Sequence, residues 1–150
     1  MGSPLAEPSM NLCHVYVVKA EEALDAMESV RSRDWKFSTG YYALYFALYS
    51  VMMRVGIRSE IHTCSIEVMR RILSPYFNAK DVSMVERAQK ARVEAQYYSS
   101  SEIPDPFLGE LTRFCPRFVV HCKRIGENLT ESDIIPLREA VLRYREPSER

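Results

Sequence analysis

The chain has 150 residues, 47% of them hydrophobic and 27% charged, which suits one ordinary globular domain with a real core and excludes a disordered chain. Lys+Arg and Asp+Glu number 20 each, so no overall positive field announces a nucleic-acid partner, although a local basic cleft is compatible with that balance. Five glycines and eight prolines leave little room for a turn-rich all-β fold, and the longest apolar run, residues 41–53, falls short of the ~20 residues of a membrane span.

Residues 1–9 read as a flexible leader. The opening MGSPLAEPSM lacks the apolar core of a secretory signal, so a soluble cytoplasmic protein with no membrane association is expected. Leu12, Val15, Tyr16, Ala20, Ala23, Leu24, Met27 and Val30 follow helical spacing and predict a first helix over residues 10–31. Asp34 is a fair N-cap for a second helix, which runs to about Val55 and stops at Gly56. That helix is apolar nearly all round. Tyr41, Leu44, Leu48, Val51 and Val55 form one stripe, and Tyr42, Tyr45, Phe46, Tyr49 and Met53 form a second on the opposite side. It is therefore expected at the centre of a bundle, or with its second stripe as the seam of a homodimer.

A third helix holds Ile61, Cys64, Ile66, Met69 and Ile72 and ends before Pro75. After a turn at residues 78–81, a fourth begins at Asp81 or at a Ser83/Glu86 capping box, with Val82, Val85, Ala88, Arg92 and Ala95 facing inward. Residues 99–104 read as a loop, and Asp105-Pro106 as the start of a fifth helix that Pro116 should kink and Gly126 should close or weaken. Thr130 and Asp133 form a capping box before a short sixth helix, residues 134–144. The fold class is all-α: an up-and-down antiparallel bundle of four to five main helices over residues 10–129, an additional C-terminal helix in 130–145, and a frayed tail at 146–150.

Much chemistry is missing. The glycines at 2, 40, 56, 109 and 126 form no phosphate-cradling loop, and neither HExxH nor GxSxG occurs. Cys13, Cys64 and Cys122 each lie near a histidine, as zinc ligands could, but reduced thiols in helix cores are the plainer expectation, so no metal or cofactor is assigned. Arg92 is the anomaly, a guanidinium on an apolar stripe, where it should be tied to a carboxylate or carbonyl or should face a ligand. Glu94, Gln96, Tyr97 and Tyr98 follow it. His62 reads as a capping or core-edge residue that could also supply an imidazole to this region, and Tyr42, Tyr45 and Tyr49 could stack on bases.

Ser38 with the run Tyr41 to Ala47, then Gly56 and His62, then Ala91-Arg92-Val93-Glu94-Ala95-Gln96-Tyr97, and a long late helix from Phe107 to Leu129, together resemble the HEPN superfamily of small helical-bundle proteins. The Arg92 segment is similar to the family's R-x-x-A-D-Y stretch, with Gln96 in place of the acid. The resemblance implies homodimers, proximity to a nucleotidyltransferase-family protein in toxin–antitoxin arrangements, and binding of nucleotide or RNA through Arg92, Glu94, Gln96, Tyr97, Ser38 and Tyr42. Active members are metal-independent ribonucleases with an Arg followed one to two helical turns later by a His. Arg92 matches that Arg, but Tyr97 stands where the His would serve, and a phenol of ordinary pKa about 10 is a poor base at pH 7. A catalytically degenerate member is therefore expected. The alternative is a ribonuclease using Arg92 with Tyr97 or His62.

Overall fold

The computed structural model describes residues 3–59, 61–98 and 103–145, with only the backbone of 105 and 145. Among these residues lie six α-helices: α1 (Met10–Ser29), α2 (Arg33–Val55), α3 (His62–Arg71), α4 (Ala79–Tyr97), α5 (Asp105–Asn128) and α6 (Glu131–Arg145). No strand occurs among them, only an isolated Leu5–Ile57 bridge. None of the helices is long and apolar enough to cross a membrane. Most of the loop expected at 99–104 and the whole tail expected at 146–150 lie outside the described residues.

Local chemistry explains the helix boundaries. α1 starts because the Ser9 hydroxyl accepts from the Leu12 amide, and it ends at Ser29, short of the expected residue 31, where Val30 turns extended. The N-cap of α2 is Ser32 and not Asp34; Ser32 accepts from the Trp35 amide while Asp34 sits in the first turn, where the helix dipole favours an anion. α4 uses neither expected start. Asn78 and Asp81 exchange side-chain and backbone hydrogen bonds in a reciprocal capping box. α6 begins with the Thr130/Asp133 box read from the sequence, yet its helix opens at Glu131, ahead of Ile134. Gly126 does not close α5, which continues to Asn128 and stays α-helical through Pro116.

Contacting pairs define the direction of each helix. Met27 meets Gly40, Tyr16 meets Tyr49, and Ser9 donates to the Met53 carbonyl, so α1 and α2 run antiparallel. Arg87 lies over Phe107 while His121 donates to the Tyr76 carbonyl just ahead of α4, so α4 and α5 are antiparallel too. Phe37 stacks on Phe107 and Arg54 reaches the Gly126 carbonyl, which makes α5 parallel to α2. The result is an up-and-down bundle of α1, α2, α4 and α5, with α3 between α2 and α4 and α6 across one end.

α2 is the central helix, as its two stripes require. Phe37, Tyr41, Leu44, Leu48, Val51, Met52 and Val55 are fully buried, and each such side chain contributes about 1.5–3 kcal/mol relative to exposure. The second stripe divides. Tyr45 and Met53 are buried within the protomer, while Tyr42, Phe46 and Tyr49 stay half-buried. Tyr16 of α1 packs on both Phe46 and Tyr49, so the seam expected between two chains is in part an intrachain contact.

Residues 3–9, read as a flexible leader, are placed against the end of α2. Ala6 donates to the Gly56 carbonyl, Arg58 to the Pro4 carbonyl and Ser9 to the Met53 carbonyl. Arg138 of α6 reaches the same spot, with Nη1 2.6 Å from the Ala6 carbonyl and 3.1 and 3.2 Å from those of Val55 and Gly56. The Val55 and Gly56 carbonyls lie at the C-terminus of α2, where a cation is favoured. Gly56 adopts φ 83°, and a Cβ there would meet Arg138 Nη1 at 2.4 Å and the Ala6 carbonyl at 2.5 Å.

Gly56→Ala should therefore lose about 1–2 kcal/mol for left-handed backbone and about 1–3 kcal/mol for overpacking. Gly109→Ala makes the contrast. Its Cβ would meet only the tip of Arg113, at 3.3 Å, and it should gain about 0.5–1 kcal/mol of helix propensity. Urea denaturation of the two variants should separate in opposite directions from the parent.

Candidate functional site

Three helices bring one polar cluster together. Tyr41 and Tyr45, one turn apart on α2, point toward α3, whose first residue is His62, and Arg92 reaches over from α4. Tyr41 has no exposed surface, yet its hydroxyl lies 2.5 Å from His62 Nδ1. The His62 ring is stacked on Tyr45, with centroids 4.0 Å apart and planes 7° apart, and also lies 5.5 Å from Tyr41. The edge of Tyr42 closes a third side. Ile61, not His62, holds the N-cap position of α3, so His62 is not a capping residue.

Arg92 lies over the same rings, its Cζ 5.1 Å from the Tyr41 centroid and 5.6 Å from that of Tyr42. Such cation–π contacts are worth about 0.5–2 kcal/mol, more as water is excluded. Arg92 Nη1 donates to Gln96 Oε1 at 3.0 Å, one turn along α4. Its Nε is buried with no hydrogen-bond partner among the described residues. The tie expected to a carboxylate or carbonyl is made only to the Gln96 amide carbonyl, on the same helix; among the described residues no acid pairs with this guanidinium.

Electrostatics set the protons. Burial first, and the Arg92 charge second, lower the His62 pKa from its ordinary 6.5, so the ring is neutral at pH 7. Burial raises the Tyr41 pKa strongly, with Arg92 only partly offsetting it, so the phenol keeps its proton. Tyr45 is also raised by burial, against a weaker opposing hydrogen bond to Ser65. The phenol is the stronger acid of these two neutral groups, so it is assigned as the donor to Nδ1, which leaves the ring proton on Nε2.

The other residues singled out by sequence fall unevenly. Gln96 and Tyr42 belong to the cluster. Ser38 is half-buried one turn before Tyr42 and bonds to neither Arg92 nor His62. Tyr97 is 68% exposed and joins none of these contacts. Glu94 lines clefts on the other flanks of α4, beside Lys90, and not with Arg92. Missing from the sequence reading were the polar roles of Tyr41 and Tyr45, taken there as stripe residues. The available signal was that a buried tyrosine needs a partner for its hydroxyl. Nor do the cysteines and histidines gather: among the described residues no three His, Cys, Asp or Glu side chains come together to hold a metal ion. Cys13, Cys115 and Cys122 are buried and Cys64 is exposed. No family model matches the chain, and no curated protein matches it.

Because the folded pKa of His62 lies below its unfolded value of about 6.5, the unfolded chain takes up a proton below that pH that the folded chain refuses. The stability tied to neutral His62 is full above about pH 6.5 and is lost as pH falls toward the folded pKa. An NMR titration of the histidine Cε1 protons should place His62 below 6.5. Arg92→Gln should move the midpoint up only part of the way, because burial, the larger cause, remains. A midpoint unmoved by that substitution would separate Arg92 from His62.

Proposed function

We propose that this bundle binds the phosphate of a nucleotide or RNA strand through Arg92 and does not itself cleave RNA. In this reading it is a cytoplasmic homodimer that works beside a nucleotidyltransferase-family protein in a toxin–antitoxin-like arrangement. One observation carries the binding claim: a guanidinium fixed over two tyrosine rings, with a neutral imidazole nearby and no acid paired with it among the described residues. Its planar fork suits a phosphate oxygen pair. The partner and the arrangement rest alone on the resemblance carried by Ser38, Tyr41 to Ala47, Gly56, His62, Ala91 to Tyr97 and the helix from Phe107 to Leu129. Support for pairing comes from the half-buried Tyr42, Phe46 and Tyr49 on α2 and the exposed Leu12, Val15 and Val18 on α1.

The protons argue against cleavage. Strand scission by the 2′-hydroxyl needs a base to take its proton and an acid to return one to the leaving 5′-oxygen. With Tyr41 donating to Nδ1, His62 carries its proton on Nε2 and offers a hydrogen bond there, but no free lone pair to take the 2′-hydroxyl proton. Tyr41 is held too high to be a base, and Tyr97 stands apart. A second reading, ribonuclease action through His62 and Arg92, is favoured only by the closeness of those two groups around Tyr41.

The test uses a fluorescent single-stranded RNA in EDTA with the parent, Arg92→Ala and His62→Ala, each checked by circular dichroism. The expected outcome is intact RNA throughout, with binding about tenfold weaker in Arg92→Ala, which corresponds to about 1.4 kcal/mol. Bound phosphate should also raise the His62 pKa, since it offsets the Arg92 charge. Cleavage present in the parent and absent in both variants would replace this reading with the second. For the dimer, light scattering should give a mass near twice 17.4 kDa. Phe46→Glu should split it while leaving a folded protomer, whereas Tyr45→Glu should unfold the chain, since Tyr45 is only 8% exposed within one protomer.

A further inference from the structure

We infer that the cleft between the turn after α3 and the middle of α5 is a second site, shaped for a nucleotide unit: a flat aromatic base beside a phosphate. It does not rest on the Arg92 reading. The cleft has a volume of about 520 Å³, within the range of small-ligand sites. Its floor is aromatic. Phe77 and Phe118 are buried with centroids 5.5 Å apart, and Phe114, half-buried, is stacked on Phe118 at 5.3 Å. Its rim carries the cations Lys80 and Arg117, with His121 and the Asp81 carboxylate beside them. His121 is fixed by donating from Nε2 to the Tyr76 carbonyl at 2.7 Å and meets Phe77 edge-on. A second, smaller cleft of about 290 Å³ shares Tyr76 and His121 with the first and adds Arg124.

What marks this cleft is the meeting of cations with an aromatic floor. Arg70 and Arg71 are matched to Glu67, Arg70 also to Glu86, and Arg87 to Glu110. Lys80, Arg117 and Arg124 have no carboxylate partner among the described residues. The nearby acids are already engaged. Asp81 accepts from the Asn78 amide at 3.0 Å, and Asp133 accepts from the Thr130 amide and hydroxyl at 2.9 Å each. Arg113, Arg117, His121 and Arg124 also recur at helical spacing along one exposed face of α5, a row of about 17 Å. Cations along a line, beside an aromatic floor, suit a phosphate with its base stacked. An acidic peptide would satisfy the cations and leave the floor unused.

The ligand is either a free nucleotide or one unit of a single strand, and two probes distinguish them: AMP followed by calorimetry, and a labelled single-stranded RNA followed by fluorescence anisotropy, both at low salt. Lys80→Ala with Arg117→Ala should weaken the binding probe at least tenfold and flatten its salt dependence. Phe114→Leu should weaken it several-fold. Both losses should keep their full size in an Arg92→Ala background, which isolates this cleft from the cluster on α2. Tight binding of AMP assigns a free nucleotide, and binding of the RNA alone assigns a strand. The inference is overturned if the parent binds neither probe, or if the double variant binds as the parent does in that background. It is equally overturned if tripolyphosphate competes as well as AMP does and Phe114→Leu changes nothing, since the aromatic floor would then have no role.

Discussion

A helix with almost no face left for water is the constraint on which this molecule depends. Because Phe37, Tyr41, Leu44, Leu48, Val51 and Met52 are all sealed, α2 must be contacted from several sides at once, and its neighbours must come close. Small residues permit that approach. A Cβ on Gly40 would meet Met27 Cε at 2.9 Å, and one on Gly126 would meet Cys13 Sγ at 2.7 Å. Gly126 is therefore conspicuous inside α5 because α1 passes against it, and not because the helix ends there. A side chain at either position would push α1 away and open the core whose burial stabilises the whole.

The same enclosure dictates where the long cations go. Three of them satisfy carbonyls at helix ends, which a bundle leaves unpaired. Lys36 donates to the Met27 carbonyl near the end of α1, Arg138 serves the end of α2, and Arg54 serves Gly126 and Leu129 at the end of α5. These arginines and lysines are structural, and their positive charge meets the negative end of a helix dipole. Arg92 has no such duty. It lies in mid-helix, over aromatic faces, where a carboxylate would have been the ordinary neighbour. The cations around Phe114 differ again, since they sit in solvent beside acids already committed to capping boxes. A cation's spare capacity is what separates a ligand site from a strut.

Much of the fold was legible in the sequence because its signals are local. The double stripe of α2, the glycine stop at residue 56 and the Thr130/Asp133 box each depend on residues within a few turns of one another. The misread boundaries have local causes too. Ser32 and Asp34 are both good caps, and only one can be used. The sequence offers a capping box at Ser83/Glu86, but the tight turn ending at Asn78 starts the helix first. Residues 3–9 were read as a flexible leader since nothing within them announces that their backbone will pair with residues near Gly56, or that Arg138 will travel from the far end of the chain to join them.

The cluster around Tyr41 was legible in part: Arg92, Gln96, Tyr42 and His62 were singled out, but not the buried phenol that joins them. Arg92 and Tyr97 are close in sequence, and that nearness invited a pairing between them, yet Tyr97 is at the exposed last residue of α4 and Arg92 on its inner side. Helical geometry places Gln96, at the i+4 position, beside Arg92, and Gln96 is the residue that holds it. The imidazole comes instead from the first residue of α3, selected by the phenol it faces. A tyrosine sealed on the core side of α2 cannot leave its hydroxyl unpaired without a cost of about 1–3 kcal/mol, and His62 Nδ1 is the acceptor that α3 delivers. Burial then keeps that imidazole neutral and the Arg92 charge keeps it more so. The requirement that placed His62 there is thus also what withholds its second nitrogen from acting as a base.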